Sequence, residues 1–388
     1  MSISSQPTIS NERLAANIAG DALGLPGTIG THFTNEKFAA SALTDLLPQV
    51  DATYPEGSIR VVSLCGGEGF YERTVCAALQ GTERRPELTV VDLQRASLDR
   101  IDESRFPVTP VHGSVTELPF HDAGTNIYGG DEPPTLVLSR AWEHYVEPPT
   151  LVAALRETAR ILRPGELYAP QLTSGDPKTL GALSVAVAAV ADKDVAYLSV
   201  DQYLTFVDAV QHRDGSPMFA VRDMGQADTQ TGRGVLAQAT RYLNKKFLTK
   251  HHQDAGENFG LFEEEVAKLS VTKANLEADI RSGARTTEEA TEMLSTEIRD
   301  LKVYELFRDV YVGAVTGYLE TLDSPPERGT TLVHGTKGEI VDVQLDIEYP
   351  IVFLERQAPG NRGHVGQAVG ALASGPSIRH VGPADQSS

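Results

Sequence analysis

Cysteine is almost missing from this 388-residue chain: Cys65 and Cys76 are the only two. A disulfide framework is therefore excluded, and nothing points to an oxidising compartment. Long apolar runs are missing too, with none near the ~18 residues that a bilayer span needs. The first twenty residues, MSISSQPTISNERLAANIAG, lack the basic stretch and apolar run of a secretory signal. The chain is expected to be cytoplasmic, without a membrane partner. Basic residues are also scarce: 34 Lys and Arg face 53 Asp and Glu, a formal charge of −19. Nucleic-acid binding relies on cations that neutralise phosphates, so the balance argues against a nucleic-acid partner and for a small or neutral substrate.

What is present is a globular composition, 40% apolar and 22% charged, in a chain long enough for one large domain or two ordinary ones. Residues 1–58 carry apolar positions at 3–4 spacing and read as an N-terminal helical segment, with Thr34-Asn35 as a candidate cap. From 59 to 174 short apolar runs alternate with helical stretches. Strands are expected at 59–64, 88–92, 108–112, 135–139 and 167–171, with an amphipathic helix ended by Pro164-Gly165. Such alternation predicts a parallel sheet covered on both faces. Residues 175–330 read as a mainly helical insertion, a lid, substrate pocket or homo-oligomer interface. Its aromatics include Tyr203 and Phe219; most are expected to form its own core and a few to line an apolar substrate chamber. Residues 331–357 read as two closing strands, and the Gly-, Ala-, Pro- and Ser-rich stretch 358–388 as a disordered tail.

Chemistry centres on SLCGGEG, residues 63–69, between an apolar strand and a helix. Glycines let the backbone turn sharply and approach a ligand, and the helix start offers unpaired N–H groups. Asp92 ends the next strand, 23 residues after Gly69. An acid at that spacing can accept hydrogen bonds from ribose hydroxyls. A dinucleotide fingerprint would need glycine three residues after Gly69, where Glu72 stands and would repel a pyrophosphate.

The blocks VVSLCGGEGF, TVVDLQ, VHGSVTELPF and TLVLSRAWEHYVEPPTLVAALRETARILRPGELYAP, in this order over residues 57–175, resemble the class I S-adenosylmethionine-dependent methyltransferases. The resemblance implies an α/β fold, an open twisted, mostly parallel seven-stranded Rossmann-like sheet with a large helical insertion. It implies S-adenosyl-L-methionine as cofactor, S-adenosyl-L-homocysteine as product, and methyl transfer to O, N or C of a small metabolite. By position it places Ser63, Cys65, Gly66, Gly67 and Gly69 around the cofactor's methionine and ribose, and Asp92 on the ribose hydroxyls. Leu93 then packs on adenine, with Ser114 and Val115 beside that ring, and Ser139 and Arg140 flank the amino-acid part. The chain departs from the pattern where the family usually has an acid (Ser63), a glycine (Cys65) and an acid (Ser114). Loss of both acids is expected either to weaken cofactor binding or to be made good by Glu68 and a residue of the N-terminal helices.

Catalytic candidates follow the fourth strand, where open α/β sheets place ligands. His144 is the first choice for a general base, because imidazole titrates near neutrality. Glu143 is second, read chiefly as a solvated or helix-capping acid. Trp142 and Tyr145 are candidate walls for the substrate, with packing the plainer reading for both. His112 reads as an interior histidine, and Cys65 as a small residue that fills its turn. The HHQD run at 251–254 lacks partners at ligand spacing, so no metal is expected. Two rival readings are a protein or nucleic-acid methyltransferase and a relative that binds the cofactor without methyl transfer or uses it otherwise.

Overall fold

The computed structural model describes residues 42–67, 69–99, 101, 106–123, 132–191, 195–225, 228–235, 263–299 and 302–360. Helix α1 covers 42–53. There follow β1 (Gly57–Leu64), α2 (Phe70–Gln80), β2 (Arg84–Asp92), the short α3 (Arg95–Leu98), β3 (Val108–His112) and β4 (Thr135–Arg140). A 3-10 turn at Glu143–Tyr145 leads to α4 (Pro148–Ile161) and β5 (Leu167–Gln171). Next come α5 (Pro177–Ala191), α6 (Val200–Asp208), β6 (Phe219–Met224) and β7 (Asp228–Arg233). The chain continues with α7 (Glu263–Ser282), α8 (Thr287–Arg299), α9 (Lys302–Glu320), β8 (Thr330–His334), β9 (Ile340–Tyr349) and β10 (Val352–Arg356).

The main sheet has seven strands in the order β3-β2-β1-β4-β5-β10-β6. The first five run parallel, and β10 is antiparallel to both of its neighbours. This is the mostly parallel, seven-stranded Rossmann-like methyltransferase architecture that the sequence resemblance implies. Alternate strand residues go to opposite faces, and both faces are covered. Ile59, Val61, Val90, Leu136, Leu138 and Phe353 pack with α1 and α2; Val62, Leu64, Val91, Val137, Tyr168 and Leu354 pack with α4 and α6. That double burial is why these strands read as continuous apolar runs. Helix α4 starts on Pro148-Pro149, whose missing N–H groups cost nothing in a first turn. It buries Leu151, Ala154, Leu155, Thr158, Ala159 and Ile161, one stripe at 3–4 spacing.

Strand order leaves β1 for β2 on one side and for β4 on the other. The carboxyl ends of β1 and β4 therefore open a crevice at a topological switch point, where such sheets take ligands.

The closing strands differ from the sequence expectation. Of residues 331–357 only β10 enters the main sheet; β8 and β9 join β7 in a separate antiparallel sheet ordered β7-β9-β8. The strict alternation of IVDVQLDIEY explains the difference, because Val343, Leu345, Ile347 and Tyr349 are buried and the residues between them are not. A strand buried on one face only belongs to a sheet with one covered face. That face packs on α5 and α9 through Leu180, Leu183, Tyr311 and Val315. Helices α5 and α9 cross closely, since a Cβ on Gly181 would collide with the Tyr318 hydroxyl. The missing main-sheet strand is β6, an edge strand within the stretch read as mainly helical. Tyr203 and Phe219, two aromatics of that stretch, are fully buried in the main core and not in a core of the insertion's own. The two sheets meet where Ser174 and Glu348 exchange N–H···O bonds of 2.9 Å.

Tyr54 ties α1 to the sheet. Its hydroxyl donates to the Thr135 carbonyl (2.9 Å) and accepts the Leu167 N–H (2.8 Å), both buried. Replacing Tyr54 by Phe strands two buried backbone groups and should lower stability by roughly 2–4 kcal/mol. Urea unfolding monitored by circular dichroism measures this, and an unchanged midpoint would remove the anchoring role.

Candidate functional site

The turn after β1 is built from left-handed backbone. Cys65, Gly67 and Gly69 have φ of 54°, 55° and 66°. Glycine adopts this region freely, whereas Cys65 is strained by about 1–2 kcal/mol. Gly66 is required for another reason: a Cβ there would strike the Ser63 hydroxyl and come within 2.9 Å of Val90 Cγ1. The turn closes with Gly69 N–H donating to Gly66 O at 2.8 Å, and Gly69 caps α2 without a side chain. Burial pushes the Cys65 thiol well above its ordinary range, with Asp92 and Glu143 adding to the effect. A thiol raised in this way is a weak nucleophile.

Asp92, at the end of β2, clamps this turn. One carboxylate oxygen accepts the Gly67 N–H at 2.9 Å, and the other accepts the Gln94 N–H at 2.7 Å. Burial raises its pKa, against the pull of these two donors and of His112. Leu93, next in the chain, is 48% exposed, unusual for leucine directly after a buried strand. His112 proves exposed, not interior, because β3 is an edge strand that buries only Val108. It is satisfied by the Leu93 carbonyl 2.9 Å away. The Ser114 hydroxyl is engaged locally with Thr116, at 2.8 Å from its Oγ1. The Val115 side chain points into the core beside Leu118 and Trp142.

The acid missing at Ser63 comes from α2. Glu72 is buried in the first helical turn, and its Oε1 accepts the Ser63 hydroxyl at 2.7 Å. Burial raises its pKa, with Ser63 and Arg140 opposing. Arg140 lies 5.9 Å from the centre of the Tyr71 ring, so a cation and a buried carboxyl underlie the turn together. Glu68 and residues 1–41 lie outside the described residues.

Beyond β4, Ala141 has φ 49° and turns the chain into the Glu143–Tyr145 helical turn. Glu143 is not the solvated acid expected: it is 4% exposed. Its oxygens accept the Ser139 hydroxyl (3.2 Å) and the Trp142 N–H (3.0 Å), and burial drives its pKa up to about 7. Ser139 Oγ also lies 2.8 Å from the Tyr168 hydroxyl. With one proton to give, Ser139 donates to the carboxylate and accepts from Tyr168. His144 is buried as well, its ring stacked on Tyr197 at 4.6 Å and tilted against Tyr145 at 4.1 Å. Trp142 packs in the core, its indole directed at the Tyr168 hydroxyl.

A small cavity opens here, lined by Glu143, His144, Leu172, Thr173, Leu198 and Tyr203. The structure thus brings His144 and Glu143 together with Tyr203, and joins Tyr168 to Glu143 through Ser139, while Glu72 stands under the β1 turn; sequence reasoning singled out none of the three for the site. A glutamate in the first turn after a glycine-rich loop was a usable signal for Glu72. Nothing in LYAPQ or VDQYLTFVD marks the two tyrosines. The HHQD run lies outside the described residues, and no three or more His, Cys, Asp or Glu side chains among the described residues are placed to hold a metal ion. No described helix is long and apolar enough to cross a membrane.

No family model matches the chain, and no curated protein does. Among solved structures it is similar to the YcgJ protein of Bacillus subtilis, 11% identical, covering 81% of this chain and 99% of that chain, with a TM-score of 0.44. It is also similar to geranyl diphosphate C-methyltransferase from Streptomyces coelicolor, in a complex with Mg2+, geranyl diphosphate and S-adenosyl-L-homocysteine; the two are 10% identical over 87% of either chain, TM-score 0.37. The [4+2]-cyclase SpnF is a third, 13% identical over 92% of this chain and 98% of that one, TM-score 0.38.

Glu143 makes the site pH-sensitive. Its carboxyl rises from 4.5 unfolded to about 7 folded, so the native state holds the proton more tightly. Its contribution to stability is complete below pH 4.5 and is lost as pH rises to about 7. Glu143→Gln, which stays neutral, should therefore gain on the native protein across that interval, by on the order of 3 kcal/mol at pH 8. Thermal unfolding of both proteins from pH 4.5 to 8 tests this; parallel curves would show that Glu143 is not a buried neutral acid.

Proposed function

We propose that the chain is an S-adenosylmethionine-dependent methyltransferase that moves a methyl group to O, N or C of a small metabolite. The observation that carries this is the clamp of Asp92 on the Gly67 N–H, set at the switch point of the sheet between β1 and β4. The surroundings suit an adenosyl sulfonium. A Cβ on Gly67 would meet nothing, so the turn faces open space, and exposed Leu93 offers an apolar platform beside Asp92. Asp92 would hold the ribose hydroxyls, since a carboxylate has about four lone-pair sites and only two are in use here. Gly66, Gly67 and Gly69 would lie under the methionine and ribose, with Ser114 and the Val115 backbone at the adenine. Ser139, Arg140 and the Ser63–Glu72 pair would face the amino-acid end. When bound, the donor supplies an electrophilic methyl carbon and a neutral thioether leaving group.

The chain's own task is to seat a nucleophile and take its proton. Glu143 suits the second role better than His144. Its pKa of about 7 is matched to proton transfer near neutrality, and it borders the cavity. His144 walls the same cavity from between two tyrosine rings. The net charge of −19 favours a small-molecule substrate over nucleic acid.

Calorimetry with S-adenosylmethionine and S-adenosylhomocysteine is the test. Micromolar binding of both is expected, and Asp92→Ala should weaken it at least about tenfold. Binding of neither ligand to the parent protein would defeat the proposal.

A further inference from the structure

We infer that β8 pairs with β8 of a second copy of this chain, antiparallel about a two-fold axis at Leu332. The protein is then a dimer whose two smaller sheets join edge to edge, in the order β7-β9-β8-β8-β9-β7. The inference does not depend on the methyl-transfer reading.

Strand β8 ends its sheet, with β9 on one side only. The direction of its backbone groups follows from its two ends. Asp346 donates its N–H to the Gly329 carbonyl at 2.8 Å, and Gly335 donates its N–H to the Glu339 carbonyl at 2.7 Å. Neighbouring residues of a strand turn these groups to opposite sides. Thr331 and Val333 therefore bond β9, while Thr330, Leu332 and His334 aim their N–H and C=O groups outward. The register shift between Val333 and His334 adds a residue to β9, not to β8, so the alternation survives it. Among the described residues none bonds the outward groups, and such an edge is a template for another strand.

The other three edge strands are blunted. Proline and charge are the usual protections of an edge. Strand β3 holds Pro110, β6 holds Arg222 and Asp223, and β7 begins on Asp228 and ends on Arg233. Strand β8 reads TTLVH and has neither. Its central Leu332 is 40% exposed, although it stands opposite the fully buried Val343 on the covered face of the sheet.

A second copy is the occupant that this edge fits. Antiparallel pairing about Leu332 sets Leu332 on Leu332 and Thr330 on His334, so outward groups meet outward groups. The two leucines then lie side by side and extend the apolar face from one copy to the other. The same axis brings Glu327, before β8, beside Lys337 in the turn after β8 of the second copy. Both are exposed, and neither joins an ion pair among the described residues. Their charged neighbours are engaged elsewhere: Arg328 faces Glu348 at 3.6 Å, and the Glu339 carboxylate accepts the Lys337 N–H at 3.0 Å. Two Glu–Lys pairs thus bracket the joined strands. No acid lies between Arg328 and Gly338, which matters in a chain of net charge −19, where most faces of two copies repel.

Sedimentation velocity on the full chain from about 1 to 100 μM is the experiment, and a species with the mass of two chains is expected. Leu332→Pro removes only an outward N–H and should weaken the dimer at least about tenfold, with a melting transition that shows a folded protein. Lys337→Glu sets acid against acid and should weaken it too. Glu327→Lys combined with Lys337→Glu should restore the parent affinity, because the exchange rebuilds both pairs in the antiparallel register. If Leu332→Pro does not fold, the two charge variants decide alone. A monomer across the whole concentration range overturns the inference. So does a dimer that Leu332→Pro, folded, leaves intact, a Lys337→Glu protein that associates like the parent, or a charge exchange that restores nothing.

Discussion

Two backbone N–H groups, on Gly67 and Gln94, converge on the carboxylate of Asp92. This shared acceptor joins the turn after β1 to the turn after β2 and holds open the crevice that strand order creates. The β1 turn could not sit there otherwise. Left-handed residues at 65, 67 and 69 bring the backbone over the strand ends, and Gly66 lies against Val90 of β2 with no room for a side chain. Buried backbone donors need partners, and a charged acceptor satisfies them more strongly than a neutral one.

Around this clamp the protein collects acids that water would normally keep ionised. Asp92, Glu72 and Glu143 all have carboxyls raised by burial. Each is accompanied by hydrogen-bond donors that favour the charged form and oppose the effect of burial. Of the three, Glu143 combines near-neutral titration with a cavity, and it alone has no cation among its electrostatic partners.

The second sheet and helices α5 and α9 form a layer with their own core, yet they reach the site. Tyr197 from the chain between α5 and α6 stacks on His144, and Tyr145 packs toward that second core. The small cavity thus sits at the junction of the two cores, with Tyr203 of α6 lining it from the main one. A change in how the layers meet would move both walls of the cavity at once.

Much of the first half of this picture was legible from the sequence. The runs IRVVSL, LTVVD and TLVLS read as buried strands, because a strand covered on both faces carries continuous apolar residues. SLCGGEG and Asp92 were legible as a pair because their roles depend on spacing along the chain. The alternation in IVDVQLDIEY was equally plain, but which sheet it joins was not, since alternation records one covered face and not its neighbour. Residues that act through distant contacts left no trace: Tyr168 and Tyr203 meet Ser139 and the cavity only after β4, β5 and α6 have packed. Glu143 shows the limit most clearly. Its identity and its place after β4 come from the sequence, which thus determines that an acid stands beside the crevice. Whether that acid is solvated, with an ordinary carboxyl, or buried, with one raised to about 7, depends on the dielectric around it, and only tertiary packing decided that.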